Sequence, residues 1–392
     1  MPTVELTAAT TLPADGLAGA LVGRVWRPDV AGPSVVVARD SALFDISAAF
    51  ATMRDLAEAA DPAGAARATP GERIGAIGDI IANTPPDRRD SQRPWLIAPT
   101  DLQAIKAAGV TFATSLIERV IEERARGERA AAAAIRADFA RRVGAELASI
   151  APGSPAAARL KQALVEAGLW SQYLEVGIGP DAEIFTKSQP MSAVGTGADA
   201  GFHPASAWNN PEPEIVLAVN SRGAIVGATL GNDVNLRDFE GRSALLLGKA
   251  KDQNASCAIG PFLRLFDATF TLDDVRRAEI GLKVEGEDGF TIAGGSSMAA
   301  ISRDPEELVR QLFDAGRRYP DGAALFLGTM FAPVADRDAP GKGFTHKPGD
   351  VVAGSAEKLG RLVNRMRPCQ DCPPWDFGAG ALMRNLARRG LI

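Results

Sequence analysis

One segment constrains this chain more than any other. An apolar run, Ile215-Val-Leu-Ala-Val219, is separated from a second, Ala224-Ile-Val-Gly-Ala228, by Asn220-Ser-Arg-Gly223. Two strands joined by so short a connection pair antiparallel. Two carboxylates stand at the entrance to the first run, in Glu212-Pro213-Glu214. Pro213 biases Glu212 toward extended backbone, and residues two apart on a strand face the same side, roughly 6–7 Å apart. Asp233 follows the second run, in Gly231-Asn-Asp-Val-Asn-Leu-Arg-Asp238, where the chain can fold back to meet the pair. Like charges this close are costly unless a cation neutralises them. Three hard oxygen ligands suit Mg²⁺ or Mn²⁺, which keep positions open for water or substrate oxygens. On spacing alone, a solvated strand edge and a turn aspartate account for the same residues equally well. The longer motif that contains Asp233 is the more specific signal.

The rest of the chain is that of an ordinary globular protein. Its 392 residues suffice for two or three domains at roughly 150 residues each. Lys and Arg total 43 against 48 Asp and Glu, a net charge of −5, which argues against a nucleic-acid surface and fits a small-molecule protein. No stretch approaches the roughly 18 consecutive apolar residues of a membrane span. The opening MPTVELTAATTLPADG has no signal-peptide pattern, and three cysteines make no disulfide framework, so a cytoplasmic protein is expected.

Val22–Trp26 and Ser34–Ala38 read as strands, and Leu43 to Ala60 as helical by apolar spacing. Thr84-Pro-Pro-Asp-Arg-Arg-Asp90 reads as a loop. From about Asp101 to Gly168 the composition turns helical: Leu102, Ile105, Leu116 and Val120 recur at helical spacing. A charged run, Glu122 to Arg129, reads as exposed helical faces, and the alanine tract Ala130–Ala134 follows it. Leu325–Leu327 and Val351–Ala353 read as later strands. The expected fold is α+β, with an N-terminal β-containing domain over 1–98, a helical segment over 99–175 and a β-rich catalytic domain over 176–392.

Several motifs in fixed order resemble the fumarylacetoacetate hydrolase family. They are Ile184-Phe-Thr-Lys187, Glu212-Pro-Glu214, Asn232-Asp-Val-Asn-Leu-Arg-Asp238, Lys251-Asp252, Ala258-Ile-Gly-Pro261, Gly328-Thr329, Pro348-Gly-Asp-Val-Val352 and Gly360-Arg-Leu-Val-Asn364. The resemblance covers about Gly179 to Met366. It implies a mixed β-sheet roll, a site for Mg²⁺ (Mn²⁺ as the alternative) held by Glu212, Glu214 and Asp233, and Lys251 as the cation beside the substrate. It also implies a 2-oxo acid substrate and a homodimer or homotetramer. Lys187 and Thr329 are candidates for holding the substrate carboxylate, since a lysine and a hydroxyl-bearing turn suit an anion.

Two reactions follow on such a substrate: carbon–carbon hydrolysis of a diketo acid, or loss of a β-hydroxyl as water. The family's hydrolases carry a histidine upstream of the Glu-x-Glu pair to activate water. This chain has two histidines, His203 and His346, and none before them. Elimination needs only a base for C3 and an acid for the departing hydroxyl. Glu183 matches the glutamate that the family's sugar-acid dehydratases place there; an exposed glutamate entering a strand is the plainer alternative. The opening Gly23-Arg-Val-Trp26 and Gly32-Pro-Ser-Val35, with the helical insert, resemble the 2-keto-3-deoxy-D-pentonate dehydratases of that family. The resemblance thus implies dehydration to 2,5-dioxopentanoate in pentose oxidation. A diketo-acid hydrolase and a non-catalytic 2-oxo-acid-binding protein are the rivals. Cys369-Gln-Asp-Cys372 has half a zinc site's spacing; Cys257 and His346 are the residues that could complete it.

Overall fold

The computed structural model describes residues 4–132, 135, 150–331, 333–339 and 343–392. Its centre is the hairpin read from the sequence, Pro213–Val219 against Ile225–Asp233. Asn220 closes the turn, its Oδ1 accepting from Arg222 N and Ala224 N at 3.0 Å each, and Gly223 takes the positive φ of 79° that follows.

This hairpin is the middle of an eleven-stranded sheet. The order runs Glu72–Ala76, Ala42–Asp45, Gly32–Arg39, Ala20–Arg27, Cys257–Leu265, Ile225–Asp233, Pro213–Val219, Ala323–Phe326, Ala104–Gly109 and Glu183–Ser188, with Trp95–Ile97 also on Ala20–Arg27. All pairings are antiparallel except Ala323–Phe326 with Ala104–Gly109. N-terminal and C-terminal strands therefore share one sheet, joined where Ala20–Val22 pairs with Leu263–Leu265. A five-stranded sheet, Thr291–Ser297, Glu279–Glu285, Val351–Ala356, Gly360–Pro368 and Asp199–Phe202, packs against it. Ile215 and Leu217 of the large sheet meet Ile280 and Leu362 of the smaller one in a single core. The fold is α+β with mixed sheets, as expected.

Two helical readings fail. Ala42–Asp45, inside the stretch read as helical from Leu43, is a strand paired with Val36–Arg39, and the helix is confined to Met53–Ala57. Ala104–Gly109, where Leu102 and Ile105 suggested a helix, is a strand between Ala323–Phe326 and Glu183–Ser188. Ile105 and Ala107 alternate onto one face against Val216 and Phe326. An i, i+3 spacing over so few residues fits either period, and pairing with strands distant in sequence decides it.

Helices do form at Ala113–Arg124 and Pro155–Glu166, the first burying Leu116 and Val120 against Tyr173 and Leu174. Glu122, read as part of an exposed face, is fully buried, for the reason given below. Residues 133 and 134 of the alanine tract lie outside the described residues.

Candidate active site

The central hairpin positions the three carboxylates. Glu214 lies opposite Gly231 in the ladder. Glu212 N donates to Asn232 Oδ1 (3.0 Å) and Asp233 N to Glu212 O (2.9 Å), so the two ends of the hairpin are tied together. One oxygen from each of Glu212, Glu214 and Asp233 lies within 4.8 Å of the others, and all three residues are buried.

Burial and the neighbouring charges of Asp233 and Glu212 push the Glu214 carboxyl well above its usual range. Burial also opposes ionisation of Glu212, but the Lys251 ammonium and Arg119 guanidinium outweigh it and bring that carboxyl down to about 2. Asp233 Oδ1 is buried with no hydrogen-bond donor in line. A site with three hard oxygens, and one carboxyl unable to ionise comfortably without more positive charge, fits a divalent cation. Among the described residues no other group of acidic, histidine or cysteine side chains converges in this way. Cys369, Cys372 and Cys257 therefore form no such group with His346.

Lys251 Nζ lies between Glu212 Oε2 (2.6 Å) and Asp233 Oδ2 (2.9 Å). Burial works against its charge, yet Asp233, Glu212 and Glu240 together raise its pKa, so it stays an ammonium. Lys187 stands apart from the cavity. Its Nζ donates to the carbonyls of Lys251 and Val234 and lies 3.0 Å from Asp233 Oδ1, beneath the carboxylates. Thr329 lines the cavity; its Oγ1 donates to Phe331 O at 3.1 Å. The turn before it is held by Gly328, whose N donates to Glu214 Oε2 (2.6 Å) at a φ of 90°.

Glu183 opens the strand that pairs with Ala104–Gly109, directly opposite Gly109. Its carboxylate lies over that glycine: a Cβ on Gly109 would come within 2.2 Å of Glu183 Oε2. Gly109 lines the cavity, and Glu183 stands behind it, outside the lining. Desolvation, then the Glu240 charge, push the Glu183 pKa up to about 7, against the opposing pull of Arg119 and Lys251. A carboxyl poised there can exchange protons at neutral pH. Gly109→Ala is expected to displace Glu183 and lower turnover about ten- to a hundredfold, with the melting temperature and affinity for divalent cations little changed. Loss of cation affinity in the same proportion would show a wider collapse instead.

Four further residues belong to the site: Arg119, Glu122 and Glu240, which were missed in the sequence, and Arg237, which the motif with Asp233 suggested only as a turn residue. Arg119, on the helix Ala113–Arg124, donates to Glu212 Oε1 (2.5 Å) and Glu122 Oε2 (2.6 Å) and lies 3.1 Å from Glu240 Oε2. Arg237 Nε donates to Glu122 Oε1 (2.5 Å), and its Nη1 to Pro333 O. Glu122 is thus buried between two guanidinium groups, which compensates its loss of water. The available signal was its place beside Ile121 on the apolar side of the helix. Arg119, Glu118, Arg237 and Glu240 make a polar cavity wall; Phe185, Met330, Phe331 and Val334 make an apolar one.

Neither histidine lines this cavity. His346 is buried between the Phe202 and Phe344 rings, with Nδ1 3.5 Å from Asp350. His203, in its turn, accepts from Ala205 N at Nδ1. Asp238 also stays with its turn, accepting from Ser206 Oγ and Ala207 N, whereas Arg237 reaches the cavity.

Residues 193–367 match the fumarylacetoacetate (FAA) hydrolase C-terminal model. Among curated relatives, a probable 2-keto-3-deoxyxylonate dehydratase of Haloferax volcanii is 27% identical over 334 residues, 84% of this chain and 94% of that protein. A 2-dehydro-3-deoxy-D-arabinonate dehydratase of Saccharolobus solfataricus is 30% identical over 188 residues, 47% of this chain and 58% of that protein. A solved structure of 2-keto-3-deoxy-D-arabinonate dehydratase in its apo form superimposes with a TM-score of 0.61 at 20% identity, covering 89% of this chain and 99% of that one. A complex described as holding magnesium and 2,5-dioxopentanoate superimposes over the same shares at 0.59. At that identity these two structures establish the fold. No helix among the described residues is long and apolar enough to cross a membrane.

Proposed function

We propose that this protein is a hydro-lyase that dehydrates 2-keto-3-deoxy-D-pentonate to 2,5-dioxopentanoate with a divalent cation, Mg²⁺ or alternatively Mn²⁺. One observation carries the reading. Glu183, a carboxyl with a pKa near 7, lies against Gly109 in the wall of a cavity that is lined by three converging carboxylates and a permanent ammonium and by no histidine. The names of the two curated dehydratases, and the ligand named for the solved complex, support the same choice of substrate.

Glu212, Glu214 and Asp233 would hold the cation, which when bound polarises a 2-oxo group. Glu183, in its ionised form, takes a proton from C3. The C3–H electron pair becomes the C3–C4 double bond as the C4–O bond breaks, and the hydroxyl leaves with a proton as water. Shift of a proton from C5 to C3, then from the resulting enol hydroxyl to C4, gives the C5 aldehyde, so all five carbons are kept. Lys251 supplies fixed positive charge to the site throughout, and Thr329 and Gly328 keep the turn above Glu214 in place. The apolar wall of Phe185, Met330 and Phe331 limits water beside Glu183, in keeping with its raised pKa.

The test is an NMR time course of 2-keto-3-deoxy-D-pentonate with protein and Mg²⁺, with and without EDTA. A five-carbon aldehyde that appears only when Mg²⁺ is free is the expected result. An unchanged substrate, together with cleavage of an acylpyruvate into two acids, would replace dehydration by carbon–carbon hydrolysis.

A further inference from the structure

The strand Ala104–Gly109 supports Glu183, and the helix Ala113–Arg124 carries Arg119 to Glu212. Only Val110, Thr111 and Phe112 join them. The chain turns at Val110, whose φ is 57°. Left-handed backbone is a narrow well for any residue with a side chain and an outlier for a β-branched one. Among the described residues eight that are not glycine take a positive φ. Val110 alone of them is β-branched, and it alone lines the active-site cavity. Glycine would take the same conformation without strain.

The strain persists because the surroundings hold the kink. Thr111 Oγ1 donates to Leu327 O (2.6 Å), and Thr111 O accepts from Ser302 N and Ser302 Oγ (2.8 Å each). Leu327 leads into Gly328, whose N bonds Glu214, so the kink is tied to the carboxylate triad as well. Val110 itself is 6% exposed and belongs to one apolar cluster with Leu116, Val120 and Leu174.

We propose that Val110 is a positioning residue: its narrow left-handed conformation fixes the angle between the strand that supports Glu183 and the helix that carries Arg119, and lowers stability in doing so. This rests on the dehydratase reading, in which Glu183 must meet a substrate held at the carboxylates, and adds the residue that sets the approach. A residue with a Cβ, once anchored in that well, is penalised for any departure from it. Glycine moves freely through φ and ψ, so the angle would loosen. Strained backbone collects at functional sites where the structure around it leaves no alternative.

The test sets Val110→Gly beside Val110→Ala, both of which lose most of the buried side chain. In ordinary helix or strand backbone the glycine variant is the less stable of such a pair. Here Val110→Gly is expected to melt about 2 °C above Val110→Ala, because it alone escapes the strain. For kcat on 2-keto-3-deoxy-D-pentonate with Mg²⁺, read well below both melting temperatures, the order should invert. Val110→Gly should fall on the order of tenfold below Val110→Ala. A residue that is merely structural would give both measurements the same order, and that result overturns the proposal. So would equal kcat values, or a Val110→Gly that melts below Val110→Ala. A Val110→Ala that fails to fold where Val110→Gly folds meets the first expectation. Val110→Asn, whose side chain tolerates the left-handed region, then takes its place for turnover. If the unmodified protein leaves the pentonate unchanged, the dehydratase reading falls and this inference with it. Turnover by the unmodified protein with no inversion between the variants sinks the inference alone.

Discussion

Replacing Glu214 by Gln is expected to abolish activity while stabilising the metal-free protein. The Glu214 side chain contributes one oxygen of the carboxylate triad and, among the described residues, otherwise accepts only from Gly328 N, which an amide oxygen can also do. Its pKa is raised by burial and by Asp233 and Glu212. A carboxyl whose pKa is raised on folding stabilises the fold fully below its unfolded pKa of about 4.3, and that stability is lost as pH rises. Glutamine mimics the protonated form at every pH and escapes the loss. In EDTA, the melting temperature of Glu214→Gln should therefore exceed that of the unmodified protein above about pH 5, with the gap widening as pH rises. Removing a cation ligand should lower kcat/KM a thousandfold or more, since such an ion contributes several kcal/mol and each tenfold is about 1.4 kcal/mol. The rise in melting temperature on adding Mg²⁺ should vanish with it. Denaturation scans with and without Mg²⁺ check the pair of signs. A destabilised metal-free variant, or one that keeps its response to Mg²⁺, would remove Glu214 from the ligand set.

Glu183→Gln is expected to lower kcat by about a hundred- to ten-thousandfold with little change in KM, the usual cost of losing a general base. The pH profile gives the sharper reading. Glu183 must be ionised to take a proton, so kcat/KM of the unmodified protein should fall as pH drops through about 7 and level off above it. An ordinary glutamate would place that limb near its usual value of 4.5. In Glu183→Gln the residual rate should lose the limb near 7. A limb that persists there belongs to another group and takes the base role from Glu183.

The carboxylate triad was legible because it is local. A proline, a two-residue spacing and a four-residue turn place all three side chains on one hairpin, and nothing distant is needed to bring them together. Lys251 and Thr329 were legible only through the order of motifs, since each reaches the site from its own segment. The polar wall was hidden for a physical reason. The helix Ala113–Arg124 arrives there because Ala104–Gly109 pairs in parallel with Ala323–Phe326 and Thr111 Oγ1 donates to Leu327 O (2.6 Å). Pairings across so much chain leave no trace in local periodicity, and Ala104–Gly109 itself was misread as helical. Glu122 shows the same limit in another form. Its charge marked it as a surface residue, and only the two arginines that meet it, one from the motif after the hairpin, make its burial tolerable. Lys187 had the composition of an anion ligand, but the structure turns its ammonium toward backbone carbonyls and Asp233.

The division of labour between these segments has a consequence for how such a protein can change. The three carboxylates travel together in one contiguous stretch, whereas part of the wall facing them, Glu118 and Arg119, comes from a helix encoded far upstream. Recombination that swaps the upstream piece leaves the cation's seat intact and presents a new facing surface to whatever the cation grips. Arg119 is the hinge of that arrangement, because it belongs to the interchangeable part and yet bonds Glu212 of the fixed part. Any replacement segment must carry a cation at that position or leave Glu212 with one partner fewer. The freedom to alter ligand preference is therefore wide along this wall and narrow at a single guanidinium.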